Sequence, residues 1–243
     1  MSTTRPDRAI ILAAGQGKRL GALTAERPKC LLEVDGKPIV QHQIDALRSV
    51  GIKVFIVVTG FGAEHVRDVL GEQVLYIHSS EYATTNSLYS FYLARGQTAD
   101  GFVLLNGDVL FHPQVARAVL ESPHPDAAAV DFRDGLGEEE TKVKVEGEGR
   151  IVAITKDMPP ALSDGENVGL LKFSGPGARR VVEKTASLVS AGARRAWVIA
   201  AFHAMVSEHP IYAVPTSGLP WIEIDFIEDL QRAVQEIAPR CHV

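Results

Sequence analysis

The sequence predicts an α/β protein in which residues 1–243 form one domain, built on a mixed, mostly parallel sheet that helices flank. Two observations carry this prediction. Up to residue 110, short apolar runs alternate with helical patterns at the spacing that is typical of βαβ units. From residue 127 onward the strand-like runs include a hairpin signal, which indicates an antiparallel extension. The sequence contains no linker, repeat or low-complexity stretch that would separate the two halves.

The first half supplies the parallel part of the predicted sheet. Its first apolar run, at 9–14, leads directly into a glycine and is typical of a strand buried on both faces. Three similar runs follow, and segments with helical spacing of apolar residues separate them. The predicted strands of this half lie at 9–14, 54–58, 74–77 and 101–105, and its predicted helices at 39–50, 63–70 and 86–95.

The second half is less regular. Glycines on either side of Glu148 predict a hairpin turn at 147–149, and the acidic, glycine-rich segment 134–140 is expected to be a mobile loop. Four apolar residues at helical spacing predict the final helix, namely Ile227, Leu230, Val234 and Ile237. The remaining predictions are strands at 127–132, 141–145, 151–155, 168–173 and 211–214, and a helix at 178–190.

The composition is that of an ordinary folded protein, with 46% hydrophobic and 23% charged residues and a formal net charge of -5. No basic run favours a nucleic acid or an anionic membrane as partner. Residues 1–8 lack the apolar core of a signal peptide, and no stretch approaches the ~20 apolar residues of a membrane span. Cys30 and Cys241 fit no metal-binding spacing and are expected to be reduced thiols. We therefore expect a cytoplasmic protein.

A loop with two glycines and two adjacent cations follows the first predicted strand, between Leu12 and Leu20. Glycines let backbone N–H groups approach a phosphate, and Lys18 and Arg19 could neutralise a triphosphate. A dinucleotide-binding fingerprint would need glycine at the position of Leu20. A P-loop would need glycine in place of Leu12 and Ser or Thr in place of Arg19. The alternative to a phosphate site is a tight glycine turn with solvated cations.

Four segments near the N-terminus resemble, in order and spacing, the signature of the nucleotidyltransferase superfamily. They are AAGQGKRL at 13–20, LT at 23–24, RPKCLL at 27–32 and GKPI at 36–39. The resemblance implies a Rossmann-like fold of the nucleotide-diphospho-sugar transferase type. It also implies that Lys29 contacts the acceptor phosphate or the α-phosphate of an NTP. The loop residues that it identifies as nucleotide-binding are Leu12, Ala13, Ala14, Gly15, Gly17, Lys18 and Arg19.

Two aspartates are candidates for a metal site. Asp108 follows the predicted strand at 101–105, and open α/β sheets bind ligands at the carboxyl ends of their strands. Asp225 stands at the head of the final helix. Mg2+ takes one or two carboxylates together with water and phosphate oxygens, and the two aspartates resemble the family's metal-binding pair. Asp108 is also a candidate for contact with the nucleotide. The alternative is that Asp108 is only a turn residue and that Asp225 is only a helix cap.

The segment EYATTNSLYS at 81–90 resembles the Tyr-x-x-Thr-Asn-x-x-Ser pattern of the phosphocholine cytidylyltransferase-like branch, although its spacing is shorter. The resemblance implies that Thr85, Asn86 and Ser87 contact the nucleotide, and a helix cap is the alternative for the last two. Lys156 resembles a late lysine of that branch, which faces the acceptor phosphate. The acceptor-binding candidates are Lys29, Tyr82, Lys156, Trp221 and Glu223.

Together these assignments predict a Mg2+-dependent enzyme that transfers CMP from CTP to a phosphocholine-like phosphoalcohol or a phosphonate and releases pyrophosphate. Lys18, Arg19, Lys29 and Lys156 would be catalytic, because they place positive charge at the reacting phosphates. The alternative among enzymes is a sugar-1-phosphate nucleotidyltransferase that uses UTP, dTTP or GTP. The alternative from another class is a non-catalytic nucleotide-binding domain. The expected partners are an NTP and a phosphorylated acceptor, and a homodimer is left open.

Overall fold

The computed structural model describes residues 5–241. Within these residues, nine strands form one mixed sheet, and two ribbons of two short strands lie beside it. The strands in chain order are β1 (Arg8–Ala13), β2 (Glu33–Val34), β3 (Lys37–Pro38), β4 (Val54–Thr59), β5 (Leu75–His78), β6 (Gly101–Asn106), β7 (Val109–Phe111), β8 (Ala127–Asp131), β9 (Lys142–Glu146), β10 (Arg150–Thr155), β11 (Gly165–Ser174), β12 (Tyr212–Pro215) and β13 (Trp221–Glu223).

Helices cover both faces of the sheet. In chain order they are α1 (Ile39–Ser49), α2 (Ala63–Leu70), α3 (Ser87–Ala94), α4 (Pro113–Glu121), α5 (Gly175–Ser190), α6 (Ile199–Met205), α7 (Ile227–Arg232) and α8 (Ala238–Cys241). A π-helical turn, Ala233–Ile237, joins α7 to α8. No helix between residues 5 and 241 has the length and hydropathy needed to cross a bilayer.

The strand order in the sheet is β5-β4-β1-β6-β11-β8-β12-β10-β9. The first four strands pair in parallel, as do β8 and β12, whereas the other neighbouring pairs are antiparallel. The sheet is therefore mixed, as expected, but only four of the eight neighbouring pairs are parallel, and β11 also pairs antiparallel with β9. The predicted excess of parallel strands is not found, because the long strand β11 enters antiparallel between β6 and β8.

The parallel strands are buried on both faces because successive side chains point to opposite sides. Along β1, Ala9 and Ile11 pack into a cluster with residues of α1, α2 and α4. Ile10 and Leu12 pack into a second cluster, with residues of α3, α5 and α6. This arrangement explains why the sequence of β1 is continuously apolar rather than alternating.

A third apolar cluster lies beyond the edge of the sheet. It joins Leu20 and Leu32 of the N-terminal loop to Ile222 and Ile224 near β13 and to Ile237 of the C-terminal turn. The ribbon of β7 and β13 is part of the same layer, with Val109 opposite Glu223. The cluster thus brings the N-terminal loop and the C-terminal segment to the same end of β6.

All nine strands of the main sheet correspond to predicted strands, with β11 extending three residues further at its start than predicted. The hairpin between β9 and β10 is confirmed, and Gly147 and Gly149 have positive φ there. The segment 134–140 forms no helix or strand, although Leu136 is buried. Cys30 and Cys241 are free thiols.

The structure differs from the sequence-based predictions in its helices and in the two ribbons. No element was predicted for α4, for α6 or for the strands of the two ribbons. Pro113 in the first turn of α4 is a sequence feature that is typical of a helix start. In the structure, the His112 ring caps this helix by accepting a hydrogen bond from the Gln114 N–H. Helix α5 begins at Gly175, before the predicted residue 178, because the Ser174 hydroxyl caps it. The predicted final helix is interrupted by the π turn.

Candidate functional site

A cavity lies at the carboxyl ends of the parallel strands. Strands β1, β4 and β6 end there at Ala13, Thr59 and Asn106, and such an edge is where open α/β sheets bind ligands. Residues from both halves of the chain line the cavity: Leu12, Ala14, Gly15, Tyr82, Thr85, Asn86, Ser87, Ser90, Asn106, Asp108, Thr141, Lys156, Asn167, Gly169, Leu171, Trp197, Val198, Ile199, Phe202 and Glu223.

The glycine loop forms one rim of this cavity. Gly17 has φ 76°, and a Cβ atom there would lie 2.9 Å from the Cβ of Lys29, so the loop packs directly on that lysine. Within residues 5–241, the backbone N–H groups of Gly15, Gln16 and Gly17 have no protein acceptor. Lys18 is exposed at the start of a short 3-10 turn. Free N–H groups and a nearby cation are the features that bind phosphate oxygens.

Lys29 stands at the centre of an ion cluster. Its ammonium donates to Asp108 Oδ2 at 2.8 Å and to Asp225 Oδ1 at 2.6 Å. Arg19 donates to the other oxygen of Asp225 at 2.7 Å and also lies 3.5 Å from Glu139. The structure therefore brings together four predicted site residues that lie far apart in sequence.

The charges in this cluster shift one another's protonation. Burial opposes the charged form of Lys29, but Asp108 and Asp225 outweigh it and raise the pKa of the lysine. Burial also opposes ionisation of Asp225, yet Lys29 and then Arg19 hold its pKa below the ordinary value. Both members of the Lys29–Asp225 pair are therefore charged at neutral pH.

Glu223 adds a third carboxylate. One ligand oxygen from each of Asp108, Glu223 and Asp225 lies within 4.8 Å of the others. Burial, followed by the charges of Asp108 and Asp225, raises the pKa of Glu223 to about 8. Asp108 Oδ1 is buried and accepts no hydrogen bond within the described residues. Oxygen ligands at this spacing, one of them unsatisfied, fit a divalent cation such as Mg2+.

The helix-cap interpretation of Asp225 is wrong. The side chain of Asp229 caps α7 instead, because it accepts from the backbone N–H groups of Asp225 and Phe226 at 3.0 and 2.9 Å. The Asp225 carboxylate is thereby left for Lys29 and Arg19. Asp108 does lie in the short turn between β6 and β7, where its backbone carbonyl accepts from the Ile224 N–H at 3.0 Å.

The segment that resembles the cytidylyltransferase branch lies on the cavity wall. Asn86 is the N-cap of α3, and its side-chain oxygen accepts from the Ser87 N–H at 2.8 Å. The Ser87 hydroxyl oxygen accepts from the Val198 N–H, and the Thr85 hydroxyl donates to the Glu81 carbonyl. The cap interpretation of Asn86 is therefore confirmed. Its side-chain NH2 donates to no protein group within residues 5–241 and remains a donor for a ligand.

Three of the five acceptor candidates line the cavity, namely Tyr82, Lys156 and Glu223, and two do not. Lys156 and Tyr82 are on its wall, and the Lys156 ammonium lies 5.1 Å from the centre of the Trp197 ring. Trp221 instead packs against the core cluster below the sheet and lines a neighbouring groove that shares Glu223 with the cavity. Trp221 therefore lies outside the cavity, and Lys29 belongs to the ion cluster beside it.

Sequence reasoning missed Asn167 as a site residue. Only 7% of Asn167 is exposed, it lines the cavity, and its side-chain oxygen is buried without a partner among the described residues. Buried polar atoms are normally hydrogen-bonded, so this oxygen is an acceptor available to a ligand. Asn167 directly precedes the predicted strand 168–173, and the apolar pattern did not single it out.

The sequence is similar to a family of transferase domains and to several known proteins. A family model described as a MobA-like NTP transferase domain matches residues 9–223. The CMP-5'-(3-aminopropyl)phosphonate synthase of Streptomyces rubellomurinus is 38% identical over 129 residues, which is 51% of this chain and 20% of that protein. The choline-phosphate cytidylyltransferase of Streptococcus pneumoniae is 38% identical over 106 residues, which is 43% of this chain and 46% of that protein. The chain thus spans less than half of the length of either relative.

A solved structure extends the comparison to the fold. The CTP:phosphocholine cytidylyltransferase from Streptococcus pneumoniae superimposes with a TM-score of 0.80 at 23% identity, over 93% of this chain and 96% of that one. At this identity the likeness shows a shared fold. The family model covers the glycine loop, Lys29, Asp108 and Glu223. The chain belongs to the family of MobA-like NTP transferase domains.

Proposed function

We propose that this nucleotidyltransferase is a Mg2+-dependent cytidylyltransferase, which transfers CMP from CTP to a small phosphoalcohol or phosphonate and releases pyrophosphate. The observation that carries the proposal is the ion cluster of Lys29, Asp108 and Asp225 beside the glycine loop. A domain that only bound nucleotide would not need three carboxylates and two cations converging on one end of the cavity. The acceptor is proposed to approach from the side of Lys156 and Trp197.

In the proposed reaction, a phosphate or phosphonate oxygen of the acceptor attacks the α-phosphorus of CTP. A new P–O bond forms, the bond from the α-phosphorus to the bridging oxygen breaks, and pyrophosphate leaves with the electron pair. The acceptor is already anionic, so the protein needs no strong general base. Its task is to align the two anions and to offset their repulsion.

The cations of the site have separate tasks in this proposal. Lys18 and the free N–H groups of the glycine loop bind the triphosphate, and Lys156 orients the acceptor phosphate. Asp108, Asp225 and Glu223 would hold Mg2+, which would supply positive charge to the phosphates. Lys29 neutralises Asp108 and Asp225 in the structure. If these carboxylates held a divalent cation, the Lys29 ammonium would be free to donate to an oxygen of the α-phosphate.

The choice of CTP rests on the wall at 81–90 and on the relatives. Two relatives that match this chain are named for products or reactions with a cytidylyl group. The NH2 of Asn86 suits the O2 or N3 acceptor of cytosine, and the unpaired oxygen of Asn167 suits a ligand N–H or O–H donor. For the acceptor, the Trp197 ring and the Glu223 carboxylate line the same cavity, and both groups suit a small amine-bearing phosphoalcohol or phosphonate.

The first prediction concerns the aspartates. Asp108→Asn and Asp225→Asn should each lower turnover at least about 100-fold, because each removes charge that would hold the cation at the reacting phosphates. Pyrophosphate release is measured at saturating Mg2+, together with the melting temperature. Asp45→Asn, which breaks an exposed ion pair with Lys37, is the matched control. Near-normal rates in both site variants would remove the metal assignment.

The second prediction separates the two tasks of Lys29. Lys29→Met should lower turnover by about 100-fold. The same change should tighten Mg2+ binding, since the ammonium that competes for Asp108 and Asp225 is gone. Calorimetry measures Mg2+ affinity, and pyrophosphate release measures turnover. Lys37→Met, on the surface, is the control. Weaker Mg2+ binding in Lys29→Met would contradict competition between the two cations.

The third prediction concerns pH. Because the pKa of Glu223 is raised to about 8, its carboxyl holds a proton at neutral pH, and a cation must displace that proton to bind. Mg2+ affinity should therefore increase as pH rises and level off above about 8. Below that pH, Mg2+ binding should release protons, which calorimetry detects as a dependence on the ionisation enthalpy of the buffer. Glu223→Gln should bind Mg2+ without releasing protons, and proton release that persists in this variant would exclude Glu223 as its source.

The fourth prediction concerns the base. A site that pairs with cytosine should reject UTP by roughly tenfold to a few hundredfold in kcat/KM, since each mismatched buried polar group costs about 1–3 kcal/mol. A screen of four NTPs against phosphoalcohols, phosphonates and hexose 1-phosphates, read out by pyrophosphate release, measures this preference. Equal values for CTP and UTP, or a preference for UTP, dTTP or GTP, would favour the sugar-1-phosphate alternative.

A further inference from the structure

Lys142 is buried at the start of β9 without a carboxylate partner. None of its surface is exposed, and within residues 5–241 no Asp or Glu oxygen lies within ion-pair distance of its ammonium. Three backbone carbonyls accept its three N–H donors: Glu138 at 2.9 Å, Glu140 at 3.1 Å and Lys156 at 2.8 Å. An ammonium that is fully satisfied by main-chain oxygens is a specific arrangement, because burying a charge is costly without such partners.

The three carbonyls belong to two separate segments, one on the cavity wall and one near the ion cluster. Lys156 follows the last residue of β10 and lines the cavity, with its side chain over Trp197. Glu138 and Glu140 flank Glu139, whose carboxylate lies 3.5 Å from Arg19. Lys142 thus ties the Lys156 backbone to the acidic segment at 138–140.

Stability alone does not account for a lysine at this position. A buried ionic group can often be replaced by an apolar residue of similar size at little cost in stability. An apolar residue could not donate hydrogen bonds to two separate main-chain segments, and so could not hold the 138–140 segment and Lys156 at a fixed distance from one another. The segment 134–140 forms no helix or strand, so it has few other main-chain restraints.

We infer that Lys142 is a positioning residue for nucleotidyl transfer, which acts by holding Lys156 on the cavity wall and the 138–140 segment beside Arg19. The inference rests on the proposed function, in which Lys156 orients the acceptor phosphate. Displacing a positioned group by about 1 Å can cost about 100-fold in rate. Lys142 itself contacts neither substrate in this proposal.

Lys142→Met is the informative variant, and Lys172→Met is its matched control. Lys172 is also a buried strand lysine, 4% exposed, and its ammonium donates to the Ser122 carbonyl. It pairs with Val103 in β6, away from the cavity end of that strand. Lys142→Met should lower kcat by about 10- to 100-fold with little change in the KM for CTP. Lys172→Met should affect stability without this loss of turnover.

A double-mutant cycle with Lys156→Met shows whether Lys142 acts through Lys156. In the Lys156→Met background, replacing Lys142 should cost a much smaller factor than in the wild-type background, because the group that it positions is gone. An equal factor in both backgrounds would overturn the inference, as would an equal loss of kcat in Lys172→Met. Should Lys142→Met not fold, the same cycle is measured with Lys142→Gln, which keeps two of the donors.

Quenching of Trp197 fluorescence tests the positioning independently of activity. In a Trp221→Phe background, Lys142→Met should change the access of iodide or acrylamide to Trp197, since Lys156 is no longer held over the ring. Unchanged quenching would count against the inference. A wild-type protein that releases no pyrophosphate from any NTP and acceptor would instead refute the proposed function, and quenching would still report on Lys142.

Discussion

The candidate site depends on the ammonium of Lys29 between the carboxylates of Asp108 and Asp225. The two carboxylates belong to the turn after β6 and to the segment after β13, and without a cation between them they would repel one another. The interaction therefore fixes three distant parts of the chain in one place. Because the glycine loop packs on the aliphatic part of Lys29 through Gly17, the phosphate-binding rim is fixed by the same residue.

The sheet and the third apolar cluster bring Lys29, Asp108 and Asp225 together. Parallel pairing of β1, β4 and β6 places the strand ends together, so Leu12 and Asn106 reach the cavity in register. Leu20, Ile222 and Ile237 then hold the N-terminal loop, the β7–β13 ribbon and the C-terminal helices as one layer. The ion cluster lies at the boundary of this layer and the sheet, where it is partly shielded from water. Partial burial strengthens the attraction between its charges.

Two residues that line the cavity, Asp108 and Asn167, each have a buried side-chain oxygen that accepts no hydrogen bond within the described residues. Glu223, in the same cavity, has a raised pKa because it is buried and lies near the charges of Asp108 and Asp225. Such groups cost stability in the absence of a ligand. A perturbed carboxyl and unpaired acceptors that face one cavity indicate a binding site rather than a structural ion network. Lys142, by contrast, is completely paired, as expected of a group that holds the site rather than the substrate.

The sequence by itself determined the strands of the sheet, because their apolar runs have no other stable location than a doubly covered sheet. The order and spacing of glycines, cations and aspartates likewise indicated Lys18, Arg19, Lys29, Asp108 and Asp225. The sequence did not determine that β11 runs antiparallel to β6 and β8, since the direction of a strand depends on its pairing partners rather than on its local pattern. Only the tertiary structure decided that Asp225 faces Lys29 while Asp229 caps α7. It also decided that Trp221 lies outside the cavity, that Glu223 joins the two aspartates, and that Asn167 lines the cavity. These roles depend on distances between residues that are far apart in the chain, which packing of the sheet and the third cluster sets.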